Sequence, residues 1–265
     1  MPFPAVDRVL YKKKPLEMVV CQLRFPPILR IDTDLPAAFQ ERVRGNFPDF
    51  HISSEFRIEM PGGIGEQIPP ELLRQVIQSN GITKNYEFQT GDGNWKINLT
   101  RTFMALTTKA YIEWDNFRDR FQDPFNALLD IYKPAYFSRI GLRYINKIRR
   151  SALGLENVPW RDLLNANLIG MLNSPDIAEY IEGIDLVQRF RLAEEGSIAT
   201  LISKFGKEGN PPEQVFSIDG DYTFPGKSEI AITIDRLNFL NIRSSRLFRW
   251  GISEKLHSAM EPEPL

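Results

Sequence analysis

Along residues 19–25 apolar and polar side chains alternate: Val19, Cys21, Leu23 and Phe25 fall on one side, and Val20, Gln22 and Arg24 on the other. A period of two predicts a strand with one buried face. Pro26 and Pro27 follow, and neither can donate to a sheet ladder, so the strand ends there or runs at an edge. The period then changes. Asp34 is placed to cap a helix with Pro36 in its first turn, and Phe39, Val43 and Phe47 recur at i, i+4 and i+8. The double proline thus separates a strand from a helix packed back onto it.

Farther on, a glycine-rich loop and a short helix over residues 70–78 precede a hairpin. Its strands are 86–90 and the run from Trp95, joined by the turn Gly91–Asn94. Residues 115–132 carry the clearest helical stripe, Phe117, Phe121, Phe125, Leu128 and Leu129. Pro124 lies inside it and predicts a kink or a second helix start. A strand follows over 135–150, then two short helices with prolines in their first turns, then strands over 184–206, bent at residues 194–197. Residues 214–224 and 228–235 read as two more strands, and 238–260 as a closing amphipathic helix. Both halves therefore run antiparallel strands into one long helix. The pattern predicts an α+β fold, antiparallel sheets packed by long amphipathic helices, with two related halves as one reading. The expected division is 1–150, 151–260 and a disordered tail, 261–265.

Composition narrows the function classes. The chain has 265 residues and a formal net charge of -1, so no general affinity for nucleic acid or a membrane surface is indicated. No apolar run is long enough for a membrane span, and prolines and acids interrupt the start where a signal peptide needs an unbroken apolar segment. With Cys21 the single cysteine, no intrachain disulfide or cysteine-rich zinc site can form. A cytoplasmic location is the simplest expectation.

Motifs for chemistry are sparse. His51 and His257 lack a metal-ligand neighbour at i+4 and any serine elbow. The stretch Gly62–Glu66 has no P-loop lysine. Asp219 and Asp221 resemble half a calcium loop whose remaining ligands are out of register, which favours a turn between strands. Asp115, Asp119 and Asp123 share a helix face, interleaved with Arg118 and Arg120, and read as solvated. Cys21 faces the core and reads as an inert thiol. No metal and no cofactor is expected.

One feature stands above this background. Over residues 138–150, Ile140, Leu142 and Tyr144 point one way, while Arg139, Arg143, Lys147 and Arg149 share the opposite face. Alternate residues lie about 6.6–7 Å apart along a strand, so the cations form a row. Arg101 extends it if its strand is a neighbour. The bland reading pairs these residues with acids from elsewhere, such as the aspartate stripe. The sharper one makes Arg101, Arg139, Arg143, Lys147 and Arg149 a ligand- or partner-binding site, because arginine forks suit phosphates and carboxylates.

The segments 21–29 and 99–111, the W-x-x-F motif of Trp114 and Phe117, and the segment 138–146, in that order, resemble a sporadically distributed family of uncharacterised bacterial proteins of about this length; the Gly141–Asn146 strand is the most specific part of the match. The resemblance implies a bacterial protein, and patchy distribution is typical of antiphage defence and toxin–antitoxin modules. The leading expectation is a non-enzymatic macromolecule-binding protein: a sensor, an antitoxin-like regulator or an assembly subunit of a defence module. A protein partner, encoded by an adjacent gene, is the first choice, and nucleic acid held by the basic row the second. The alternative is a metal-dependent enzyme acting on nucleic acid or nucleotides, its site assembled from dispersed carboxylates such as Asp219, Asp221 and Glu229.

Overall fold

A computed structural model of the chain describes residues 3–54, 84–192 and 196–265. The short helix expected at 70–78 lies outside the described residues.

The strand that opened the sequence reading is β2 (Leu16–Arg24), which buries Val19, Cys21 and Leu23 and leaves Val20, Gln22 and Arg24 on its other face. The prolines after it occupy positions that need no donor. Phe25 N–H reaches Thr102 O at 2.9 Å, Ile28 N–H reaches Arg101 O at 2.8 Å, and the two residues without N–H lie between them. The chain then turns through α1 (Arg30–Thr33) into α2 (Ala37–Val43). Asp34 does not cap α2. It is the last residue of the preceding turn, and Pro36 starts the helix, with Phe39 and Val43 buried.

Strands β3 (Asp49–Ser54), β4 (Lys84–Gln89), β5 (Trp95–Leu99) and β6 (Phe103–Thr108) follow, the β4–β5 hairpin as expected. The next element, α3 (Trp114–Tyr132), is one continuous helix of 19 residues. Pro124 is buried on the same stripe as Phe117, Phe121, Phe125 and Leu128 and does not divide the helix. The 13-residue strand β7 (Phe137–Arg149) leads into short 3₁₀ turns and α4 (Ala166–Ile169). Then come β8 (Ile184–Arg191), β9 (Ile198–Glu208) and β10 (Glu213–Ser228).

Three expectations fail beyond this point. Ser228 ends β10, residues 229–232 form the turn after it and 233–235 open α5 (Thr233–Gly251), so 228–235 is not a separate strand. The closing helix is also interrupted: Ile252 is extended, and Ser253 accepts from Leu256 N–H to cap α6 (Glu254–Ala259). The tail, expected to lack structure, contains β11 (Pro262–Pro264), which pairs with β1 (Val9–Tyr11) in a separate two-stranded ribbon.

The other strands form one antiparallel sheet in the order β3-β4-β5-β6-β2-β7-β10-β9-β8. This is an α+β fold, and the sheet runs unbroken across residue 150. β2 is the central strand of the nine, and β7 lies beside it, between β2 and β10. Helices α3 and α5 lie on the same face. Phe117 of α3 packs on Trp95 with ring centroids 5.5 Å apart, Phe239 of α5 packs on Phe224 at 5.6 Å, and Trp114 Nε1 donates to Asn238 Oδ1 at 2.8 Å between the helices. Among the described residues no helix is long and apolar enough to cross a membrane.

Candidate functional site: the open face of the sheet

With α3 and α5 packed on one face, every strand turns its alternate residues to the other. Register fixes how those residues line up. One row across the sheet runs His51, Glu87, Asn98, Ala105, Gln22, Gly141 and Thr223. The next runs Gln89, Lys96, Thr107, Val20, Arg143 and Asp221. The middle of this face holds a concavity of about 850 Å³. Five of its lining residues are cationic (Arg24, Lys96, Lys109, Arg139 and Arg143) and one, Asp221, is acidic. Its floor is low because Ala105 and Gly141 are small.

Arg139, Arg143, Lys147 and Arg149 do share this face, and each is paired. Arg139 lies along its own strand over Gly141, where a Cβ would come within 2.5 Å of its Nη1. From there Nη2 donates to both oxygens of Asp221, at 2.6 and 2.7 Å, and Nη1 donates to Gln22 Oε1 at 2.9 Å. Asp221 is the residue opposite Arg143, so Arg143 is displaced one acid along. It grips Asp219 instead, through Nε at 2.7 Å and Nη2 at 2.5 Å. Lys147 meets Glu208 at 2.8 Å and Glu17 at 3.6 Å; Arg149 meets Glu17 at 2.7 Å and Glu208 at 3.6 Å. The hydrogen bond to Asp219 raises the Arg143 pKa, and that to Glu208 raises Lys147.

The acids come from the neighbouring strands β2, β9 and β10, not from the aspartate stripe. Asp115 instead pairs with Arg118, and Asp123 accepts from Asn46. Asp219 and Asp221 therefore lie in mid-strand as arginine partners, not in a turn, and Glu229 follows the end of β10. Arg101 does not extend the row. It sits in the β5–β6 turn, and its strand is separated from β7 by β2; its Nε lies 3.6 Å from Asp32 Oδ2.

On the other side of the concavity a polar network centres on Glu87. Ser53 Oγ donates to Glu87 Oε1 at 2.8 Å, Lys96 Nζ to Oε2 at 3.3 Å, and Asn85 links Glu87 to Asn98. Burial pushes the Glu87 pKa up, but the hydrogen bond from Ser53 and the charge and hydrogen bond of Lys96 outweigh it, and the net direction is down. Lys109 is exposed at the rim.

Sequence reasoning found the row but missed Gln22, Lys96, Asn98, Thr107 and Lys109, which belong to strands not yet placed beside β7. One signal was present: a glycine midway between two same-face arginines leaves room for one of them to lie flat. Cys21 is buried on the helix-covered face, where desolvation raises its thiol pKa. His51 is exposed, and His257 Nδ1 lies 2.8 Å from the Tyr11 hydroxyl, both away from the concavity.

No family model matches the chain, and no curated protein matches it. Among solved structures it is similar to the crystal structure of DynU16, a protein in the dynemicin biosynthetic locus. That match has 11% identity, 88% of this chain and 97% of the other covered, and a TM-score of 0.19. A score so low transfers neither fold nor function.

Proposed function

We propose that this protein is a non-enzymatic binding protein whose open sheet face receives an acidic segment of a protein partner. The observation that carries the reading is the concavity, lined by five cationic side chains, three of which (Lys96, Arg139 and Arg143) already hold carboxylates, on a face that the described helices leave uncovered. A protein is favoured over nucleic acid for two reasons. The arginines of β7 already hold carboxylates, which an acidic segment replaces in kind. The floor also mixes amides with Met18, Val20 and Phe103, which suit side chains better than a phosphate backbone.

The resemblance to a sporadic bacterial family supports placing the protein in the bacterial cytoplasm as a sensor, antitoxin-like regulator or assembly subunit of a defence module. With the boundary moved from residue 150 to the connection between α3 and β7, the strand order supports the duplication reading, because each half then sets its first sheet strand against the other's, β2 beside β7, with its last strand next, β6 and β10. The metal-dependent enzyme has no observation in its favour, since Asp219 and Asp221 each hold an arginine.

The test is co-expression with the products of adjacent genes, followed by affinity measurement on the purified complex. Lys109→Glu should weaken the complex about tenfold or more and leave its salt dependence shallower than that of the wild type, with the thermal midpoint unchanged. Recovery of the chain alone, or bound only to nucleic acid, contradicts the reading.

A further inference from the structure

A second cavity, of about 140 Å³, lies on the opposite face of the sheet, between β7, β10 and α5 and beneath the β1–β11 ribbon. Its floor is Gly220. A Cβ there would stand 2.7 Å from the Tyr222 ring and 2.8 Å from its hydroxyl, so the glycine lets Tyr222 lie along its own strand and deliver its hydroxyl to the cavity. Opposite Gly220 is Tyr144, and the two phenol rings stand edge to face, 6.4 Å apart.

The polar groups here are oriented. Asn241 of α5 uses both ends of its amide: Nδ2 donates to the Tyr144 hydroxyl at 2.9 Å, and Oδ1 accepts from Arg8 at 2.9 Å. The Tyr144 hydroxyl also has the Tyr111 and Ser244 hydroxyls as hydrogen-bond partners, so it is satisfied within the cavity wall. Burial pushes Tyr144 up to about 12 and Tyr222 higher still, so both phenols keep their protons in the physiological range. Tyr222 is 2% exposed, and its hydroxyl makes no hydrogen bond among the described residues. Asn146, 8% exposed, spends Nδ2 on a long 3.5 Å contact to Ile218 O and leaves Oδ1 to accept. Leu10, Leu247 and Phe248 form the apolar wall.

One buried O–H donor, Tyr222, and one amide acceptor, Asn146, facing an apolar wall, complement a flat molecule with a carbonyl beside an N–H. The size is also defined, since an apolar cavity of about 150 Å³ accepts benzene. We propose that this cavity is a binding site for a single-ring heterocycle carrying a lactam edge. Tyr222 donates to its carbonyl, Asn146 accepts from its N–H, and the ring lies against Leu247. Leaving the Tyr222 donor without a ligand acceptor is costly, which makes the site selective for such an edge over a hydrocarbon of the same shape.

The probes are 2-pyridone and benzene, added to the full-length protein and followed by saturation-transfer NMR and thermal denaturation. 2-Pyridone should bind saturably and at least tenfold more tightly than benzene. Tyr222→Phe, which removes one oxygen and keeps the ring, should weaken it about five- to tenfold. Gly220→Ala, which displaces that ring, should weaken it further. A cavity filled only by water gives no saturation transfer from either probe and overturns the proposal. So does equal binding of the two probes, or 2-pyridone binding unchanged by Tyr222→Phe, which keeps the test decisive if Gly220→Ala does not fold.

Discussion

Gly141→Ala isolates the geometry of the open face in one methyl group. The new Cβ would lie 2.5 Å from Arg139 Nη1 and 2.8 Å from Cζ and Nη2, so the guanidinium must leave its position over the strand. It then loses two charge-assisted bonds to Asp221 and one bond to Gln22. Fully exposed pairs contribute about 0–1 kcal/mol and hydrogen bonds to charged groups about 1.5–3 kcal/mol. The Arg139 and Asp221 side chains are 22% and 34% exposed, which places this clamp between those limits, at about 2 kcal/mol. Replacing a strand glycine returns about 0.5–1 kcal/mol through the unfolded chain. The net expectation is a loss of about 1–1.5 kcal/mol, or roughly 2–3 °C in the thermal midpoint for a chain of this size. The control is the same substitution in an Arg139→Ala background, where no guanidinium occupies the space. There Gly141→Ala should be neutral or mildly stabilising, giving a coupling of about 2 kcal/mol in a urea-denaturation double-mutant cycle. Equal costs in the two backgrounds would refute the clamp.

Arg143→Ala strands Asp219, whose side chain is only 13% exposed, and should cost about 1 kcal/mol in urea denaturation; an unchanged midpoint counts against that pair. Gly251→Ala would put a Cβ 2.7 Å from Leu168 Cδ1, where α5 meets α4, and should destabilise by about 1–2 kcal/mol; Leu168→Ala in the same chain should relieve part of it. Glu87 has a depressed pKa in the fold, so its contribution is present above its ordinary value of 4.5 and is lost as pH falls through the lower folded value. The stability gap between wild type and Glu87→Gln should therefore be widest near neutral pH and close on acidification; a gap that does not vary with pH argues against it. Cys21 is fully buried with a raised thiol pKa, so an aromatic disulfide reagent should label it only after unfolding, and rapid labelling of the native protein contradicts that burial.

The helix-facing half of the site-bearing strands was legible because period-two alternation in β2 and β7 needs no tertiary information. What surrounds the row was not, because cross-strand partners depend on register. β2 slips between Leu16 and Met18, and β10 between Pro225 and Ser228, so sequence spacing alone does not put Asp219 within reach of Arg143. The misread strand at 228–235 has a local cause. Ile230, Ile232 and Ile234 alternate like a strand, yet Ile230, Ile234 and Leu237 also recur at helical spacing, and a short apolar run does not separate the two. The break between α5 and α6 was written in Gly251 followed by Ser253, a stop and a cap two residues apart. Paired acids explain why a row conspicuous in sequence projects little charge in the fold, and why the concavity beside it, with Lys96 and Lys109, carries the functional reading.

The most direct test of that reading is photocrosslinking in the native cell. A photoreactive residue at Thr107, at the centre of the concavity, is compared with one at Asp119, exposed on α3. The account predicts one dominant protein adduct from position 107, joined through an acidic segment and absent from position 119. The same adducts from both positions, or adducts at 107 to nucleic acid alone, would contradict it.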